Sequence, residues 1–335
     1  MNFPIPRHFL IEFLLLAFIS TFSVVTLRAG TLSVDAIAMF PKNTAEFAYA
    51  NLKEARQFPW YAQFKSQTLP VRFSDLEHFL ASVRVDDNSQ IEELAWSLGS
   101  ADSASGPDDK AAPDSNDLLG VALGNFDPDA ANSFMKTHKI QGVDYRGYRL
   151  YPCASCDDLS VVFIDSSTVA FGHLRLLQQL LEVRVAAADS LLQSEKMFPL
   201  ISQANGRGIF WGVLNPGGAQ QALRQIVPQA TQFPQASKLL NKLQGMVISI
   251  QGTSDLDVHF QLTSSSPEDV ATISQLLQAG LLLRQFDVKN SDPDLATLLA
   301  SVRVIPNGEG LEISFAVTSD QLVSLIKRNT FSAKR

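Results

Sequence analysis

The feature that most constrains the fold is an order of helix and strand signals that runs through the chain twice. In each run, two strands are followed by a helix that opens with a capping residue, a proline and an acid. These starts are Asp127-Pro128-Asp129 in the first run and Ser266-Pro267-Glu268 in the second. Serine and aspartate cap helices, and proline is favoured at the first helical position. The repeated unit reads β-α-α-β-β-α-β-β-α.

A hairpin after each of these helices extends the match. In the second run SVRVIPNGEGLEISFAVT alternates apolar and polar residues around Asn307-Gly308, a strong turn signal. In the first run YRLYPCASCDDLSVVFIDS aligns with it, Arg149 with Arg303 and Pro152 with Pro306. We therefore predict an α+β fold with an internal duplication. Its mainly antiparallel sheet, covered by helices on one face, forms two similar lobes or one long sheet made from both.

The same pattern divides the chain into regions. Residues 31–189 are predicted to form the first α+β lobe and residues 190–335 the second, with 190–204 joining the two copies. Residues 100–117, SADSASGPDDKAAPDSND, contain Ser, Asp, Ala and Pro without an apolar period. Such a composition is typical of a flexible loop, here a linker inside the first lobe.

Residues 1–30 have a different character from the rest of the chain. The run FLIEFLLLAFISTFSVVTL, residues 9–27, is long for a signal-peptide core and just long enough for a transmembrane helix. Two alternatives follow, a cleaved signal peptide or a single N-terminal membrane anchor. Both predict an exported protein, either periplasmic or anchored and facing the periplasm.

Composition limits the classes of partner. The chain of 335 residues is 46% apolar and 18% charged, as expected for a globular protein, and its net charge is −7. No basic stripe with interleaved aromatic residues occurs, so nucleic acid is not an expected partner. The expected partner is an envelope protein or a ligand of unknown type.

The two cysteines, Cys153 and Cys156, lie in the stretch YPCASCDD. A haem attachment site needs a histidine after the second cysteine, but Asp157 stands there. A zinc site needs two further ligands, and a thioredoxin-like centre needs a helix N-terminus at the first cysteine. The alignment with the Asn307 hairpin instead places CASC at a hairpin tip. We predict a local disulfide or two free thiols at a turn.

Motifs for catalysis, phosphate binding and metal binding are missing from the sequence, so no catalytic residue, cofactor or metal is predicted. The five histidines are isolated from one another. A crowded aromatic stretch offers a candidate partner surface, with the core of a sheet-covering helix as the alternative. Its members are Phe58, Trp60, Tyr61, Phe64 and Phe73.

Several stretches resemble an uncharacterised family of exported bacterial proteins of the kind found in acidobacterial genomes, and more loosely some bacterial domains of unknown function. They are AMFPKNTAEFAYANLKEARQFPW, FLASVRVDDNSQIEELAWSL, VALGNFDPDAANSF and DQLVSLIKRNTF. The resemblance covers nearly all of the chain after the leader. It implies export and a duplicated α+β fold, and it supplies no catalytic residue.

Two hypotheses for function follow. The first is a non-catalytic envelope protein that binds a partner or ligand through a groove between the lobes or through the aromatic stretch from Phe58 to Phe73. The alternative is a hydrolase with a discontinuous site, in which His173 or His259 acts with a nearby carboxylate.

Overall fold

A computed structural model describes residues 30–62, 65, 71–82, 91–100, 118–153, 159–226, 238–252, 255–321 and 324. Within these residues the fold is α+β, with a large antiparallel sheet and helices packed on it. The predicted fold class is confirmed at this level. The predicted leader, residues 1–30, lies outside the described residues except for Gly30, and so does the predicted linker except for Ser100.

Twelve strands of the described residues form one sheet. The strands are β1 Thr44–Asn51, β2 Ile91–Ser100, β3 Leu118–Gly124, β4 Val143–Tyr145, β5 Tyr148–Pro152, β6 Leu159–Asp165, β7 Thr168–His173, β8 Phe210–Leu214, β9 Leu243–Gln251, β10 Leu256–Ser264, β11 Arg303–Asn307 and β12 Gly310–Val317. The helices are α1 Val34–Ala38, α2 Leu52–Ala55, α3 Val71–Ser82, α4 Pro128–Thr137, α5 Leu174–Arg184, α6 Met197–Ala204, α7 Pro216–Ile226, α8 Pro267–Val288 and α9 Pro293–Ser301, with a 3₁₀ turn at Leu191–Gln193.

The order of the strands across the sheet is β11-β12-β10-β9-β8-β1-β2-β3-β7-β6-β5-β4. The two regions of the chain meet at β1 and β8, which pair antiparallel, with Ala48 opposite Gly212. Of the two arrangements that the sequence pattern allows, one long sheet is therefore the one observed.

Helices cover the first face of the sheet in both regions. Alternate side chains of a strand point to opposite faces. On the first face, α2, α3, α4 and α9 pack on the strands around β1 to β7 and on the ends of β10 and β12. Farther along the same face, α7 and α8 pack on β9, β10 and β12. Two apolar clusters therefore lie side by side on this face.

On the second face, the described helices α1, α5 and α6 pack on β1, β3, β6, β7, β8 and part of β9. The prediction of a sheet covered on one face is thus wrong for the first region. The reason is visible in the strands LLGVALG and LSVVFID, which are apolar on both sides rather than alternating. The helix α6, in the segment assigned to a connection, supplies part of this cover.

The predicted helix starts are confirmed by their caps. The Asp127 side chain accepts a hydrogen bond from the Ala130 backbone N–H at 2.9 Å, and the Ser266 hydroxyl accepts one from Asp269 N–H at 3.2 Å. These bonds satisfy amides that the first helical turn leaves unpaired. At the predicted turn of the last hairpin, Gly308 has a φ of 57°, a conformation that glycine adopts without steric cost.

Candidate functional site

The aromatic stretch is mostly core, not surface. Trp60 and Phe73 are 0% and 2% exposed, Tyr61 is buried, and Phe58 is partly buried with its ring stacked on Trp60. Phe64 lies outside the described residues. The predicted partner surface is therefore wrong for Trp60, Tyr61 and Phe73, which belong to the core instead. The physical reason is that α2, α3 and the turn between Ala55 and Tyr61 bury their rings against the first face of the sheet.

The cysteine prediction concerns the hairpin between β5 and β6. Cys153 is disulfide-bonded and packs in the buried core, while its backbone N–H donates to the Leu159 carbonyl at 2.8 Å. Cys156 lies outside the described residues. Cys153 follows β5 directly, at the place of the predicted hairpin turn.

The largest exposed apolar side chains of the described residues cluster on one helix. Phe286 is 81% exposed, Leu282 65% and Leu283 59%, all in the last two turns of α8. With α9 they border a groove of about 650 Å³, lined by Leu282, Gln285, Phe286, Lys289, Pro293, Ala296, Thr297 and Ala300. We call Leu282, Leu283, Phe286 and this groove the apolar surface. A patch of this kind on a folded protein marks a site of association.

The sequence of α8 explains why apolar side chains reach solvent. The inner side of the helix buries residues spaced three and four apart, Val270, Ile273 and Leu277. In its last three turns, however, the sequence LLLRQF carries leucine and phenylalanine around the helix. Apolar side chains beyond the buried stripe of a helix need cover on a second side, and the described residues leave Leu282, Leu283 and Phe286 uncovered.

The apolar surface and the end of the predicted leader lie on the same side of the sheet, where β1 and β12 both end. Gly30 packs against Asn51, the last residue of β1. Pairs of residues on adjacent strands, from β1 through β8, β9 and β10, place Asn51 on the same side of the sheet as Val317, the last residue of β12. Leu298 of α9 packs in the cluster that contains Val317. Four strand spacings, roughly 19 Å, separate β1 from β12.

A second candidate site lies on the uncovered part of the second face. A cleft of about 260 Å³ is lined by Arg207, Val247, Ser249, Gln251, His259, Phe260, Gln261 and Glu312. We call it the polar cleft. Arg207 comes from the segment before β8, and the polar side chains of the strands lie at alternate positions of β9, β10 and β12. A sheet face without a covering helix favours polar residues. The sequence pattern predicted these strands, but it could not predict the register that makes their polar residues neighbours.

Two internal contacts organise the polar cleft. The Arg207 guanidinium Nη1 donates to Gln261 Oε1 at 3.1 Å, and His259 Nδ1 lies 3.5 Å from Glu312 Oε1. Ser249, directly across from His259 on β9, is 6% exposed, and no hydrogen bond of its hydroxyl is found among the described residues. Trp211 lies directly across from Ser249 on β8, and its indole N–H also has no partner in the described part of the chain.

The hydrolase hypothesis can be judged on this geometry. His259 has the carboxylate it requires, whereas His173 is the N-cap residue of α5 and does not line the polar cleft. Ser249, however, makes no hydrogen bond to His259. A hydrolase also needs N–H donors aimed at a developing oxyanion, and here the β9, β10 and β12 backbones pair with one another in the sheet.

An acidic cleft of about 750 Å³ borders the end of β1. It contains Asp35, Glu92, Glu93 and Asp165, with Arg184 Nη2 lying 3.8 Å from Asp165 Oδ2. Burial raises the pKa of Glu93. Burial also acts to raise the pKa of Asp165, but hydrogen bonds from Ser167 and Thr168 and the charge of Arg184 together outweigh it and lower that pKa. No group of three metal-ligating side chains occurs among the described residues.

Comparison with known proteins adds little to this geometry. The chain matches no protein-family model and no curated protein sequence. Among solved structures it is similar to TP0453 of Treponema. Crystal form I shares 12% identity at a TM-score of 0.47 over 88% of this chain and 98% of that chain. Crystal form III shares 11% identity at 0.48 over 88% and 99%. These values describe a distant likeness of architecture.

Proposed function

We propose that this protein is an exported, non-catalytic protein of the cell envelope that docks on a lipid bilayer through the apolar surface. The observation that carries the proposal is the exposure of Phe286, Leu282 and Leu283 on one side of α8. Moving an exposed leucine or phenylalanine fully out of water stabilises by about 1.5–3 kcal/mol. Three such side chains entering a bilayer interface together therefore supply several kcal/mol of association.

A bilayer is the occupant favoured by the position of the surface. The predicted leader, whether signal peptide or anchor, ends at residue 30, on the side of the sheet where α8 ends and α9 begins. A chain held at a membrane through its N-terminus would turn this side of the sheet toward the membrane. In the described chain itself, no helix has the length and apolarity to cross a membrane. We therefore propose that α8 lies in the headgroup region of the bilayer without crossing it, like other helices that lie on a membrane surface.

Charge favours a neutral bilayer over an anionic one. The net charge of the chain is −7, and beside the apolar surface Arg284 and Lys289 are offset by Asp287 and Asp292. Attraction to anionic headgroups is therefore weak, and burial of apolar area is the driving force. The docking is expected to be insensitive to salt, because screening acts on charges and not on apolar contact.

The experiment compares hydrogen exchange in the full chain reconstituted in phosphatidylcholine vesicles with that of the double variant Leu282→Ser/Phe286→Ser. Docking shields α8 and α9, so peptides from 278–300 should exchange more slowly in the parent than in the variant. The matched control is Val143→Ser, on β4 at the opposite end of the sheet, where the side chain is 47% exposed. It should behave as the parent does. Equal exchange in parent and double variant would contradict the proposal.

We also propose that the sheet derives from the duplication that the sequence pattern suggests. In its support, the order β1-β2-β3-β7-β6 in the first region parallels the order β8-β9-β10-β12-β11 in the second. In this correspondence the hairpin of β11 and β12 matches that of β6 and β7. The sequence alignment matched it instead to β5 and β6, one strand farther along.

A further inference from the structure

The internal contacts of the polar cleft leave several side-chain hydrogen-bond donors free, beside the Glu312 carboxylate and the Gln251 amide, which also line it. Glu312 is engaged by His259, and the Gln261 carbonyl oxygen is engaged by Arg207. Since an arginine can only donate, this contact also fixes the Gln261 amide with its NH₂ group available as a donor. The remaining guanidinium N–H groups of Arg207, the Gln261 NH₂ group and the Ser249 hydroxyl have no acceptor among the described residues.

The hydroxyl of Ser249 adds a further donor to this set. The residue is 6% exposed and lines the cleft beside His259, and no hydrogen bond of its hydroxyl is found among the described residues. A bound group can therefore accept a hydrogen bond from it. Side chains on three paired strands are held rigidly, so such a group would meet a preformed arrangement of donors.

We propose that the polar cleft binds a small molecule through an oxyanion, a carboxylate or a phosphate group. Arg207 supplies the charge and a planar pair of N–H donors, geometry that matches both groups. Ser249 and Gln261 donate from the floor of the cleft. The volume of about 260 Å³ admits a compact metabolite-sized ligand and excludes a polymer.

This binding is independent of the proposed membrane docking. The polar cleft lies on the second face of the sheet, whereas α8 packs on the first. Failure of one proposal therefore leaves the other standing. The double variant Leu282→Ser/Phe286→Ser should therefore bind ligand in the polar cleft with the same affinity as the parent.

The test is calorimetric titration of the full chain with acetate, succinate and inorganic phosphate at constant ionic strength, with chloride as the reference anion. Saturable binding of at least one oxyanion in the millimolar range or tighter is expected. Acetate or succinate binding identifies a carboxylate ligand, and binding of phosphate alone identifies a phosphate. Arg207→Gln should weaken the affinity about tenfold or more, because a charge-assisted contact is lost. Ser249→Ala should weaken it by a smaller factor.

The control is Arg303→Gln, an exposed arginine on β11 that does not line the cleft. It removes the same charge from the same end of the sheet and should leave the affinity unchanged. Circular dichroism of each variant shows whether it is folded. Absence of saturable binding by every probe in the folded parent would overturn the proposal. So would equal affinities of Arg207→Gln and the parent.

Discussion

At the residue scale, the cap of α8 shows how a few polar atoms determine where a long helix begins. Asp269 accepts a hydrogen bond from Lys242 Nζ at 2.7 Å and one from the Ser266 hydroxyl at 2.8 Å. Its own backbone N–H donates to Ser266. The hydrogen bond from Lys242, followed by that from Ser266, lowers the pKa of Asp269 below its ordinary value of 3.8. The ionised carboxylate therefore ties the first turn of α8 to the residue before β9.

This contact predicts a pH-dependent effect of Asp269→Asn. Because the pKa is lower in the folded chain, the carboxylate stabilises the fold at pH values above 3.8, and its contribution disappears as the pH falls through the folded pKa. The variant should melt at a lower temperature than the parent at neutral pH, and the two melting temperatures should converge in acid. Asp257→Asn, at an exposed position on β10, is the control and should melt like the parent. A constant difference at all pH values would refute the assignment.

At the element scale, the close approach of β3 and β7 depends on one glycine. Gly120 lies opposite Phe171, and a Cβ atom placed on Gly120 would fall 2.1 Å from the phenyl ring. The ring thus occupies the space that a side chain would fill, and it helps to close the core on the first face. Gly212 on β8, by contrast, has no neighbour nearer than 3.5 Å to such an atom.

Two substitutions of the same type should therefore differ in their effect on stability. Gly120→Ala forces Phe171 to move in a packed core and should lower the free energy of unfolding by about 1–3 kcal/mol. Gly212→Ala meets only ordinary contacts and should change it by less than about 1 kcal/mol. Denaturant titration of both variants measures the difference. Equal decreases in the free energy of unfolding would show that the Phe171 ring does not restrict the side chain at position 120.

Helix starts and antiparallel strands were predictable from sequence because their signals are local, as at Asp127-Pro128 and Ser266-Pro267. The helix α9 has the same signal, since the Asp292 side chain accepts from Leu295 N–H at 3.1 Å ahead of Pro293. The repeated unit predicted from the sequence contains no helix between α8 and β11. What local signals cannot supply is the face on which an element packs. The aromatic stretch around Trp60 and the apolar end of α8 look alike in sequence, yet one is core and the other is exposed.

At the scale of the whole molecule, a single sheet separates two kinds of surface. The first face carries helices along both regions and ends in the exposed apolar side chains of α8. On the second face no described helix packs on β10 and β12, and His259 and Arg207 lie there in one cleft. The polar cleft depends on the register of three strands, such as Ser249 opposite His259 and Gln261 opposite Glu312. No short stretch of sequence encodes that register.

Docking on a bilayer is tested most directly by the environment of residue 286. In the full chain in phosphatidylcholine vesicles, the tryptophan of Phe286→Trp should emit at shorter wavelength than a solvated indole. Brominated lipids should quench its emission after subtraction of the parent spectrum. The matched variant Val143→Trp, at the far end of the sheet, should be neither shifted nor quenched. Emission from Phe286→Trp that is unaffected by brominated lipids, at the level of Val143→Trp, would contradict docking through the apolar surface.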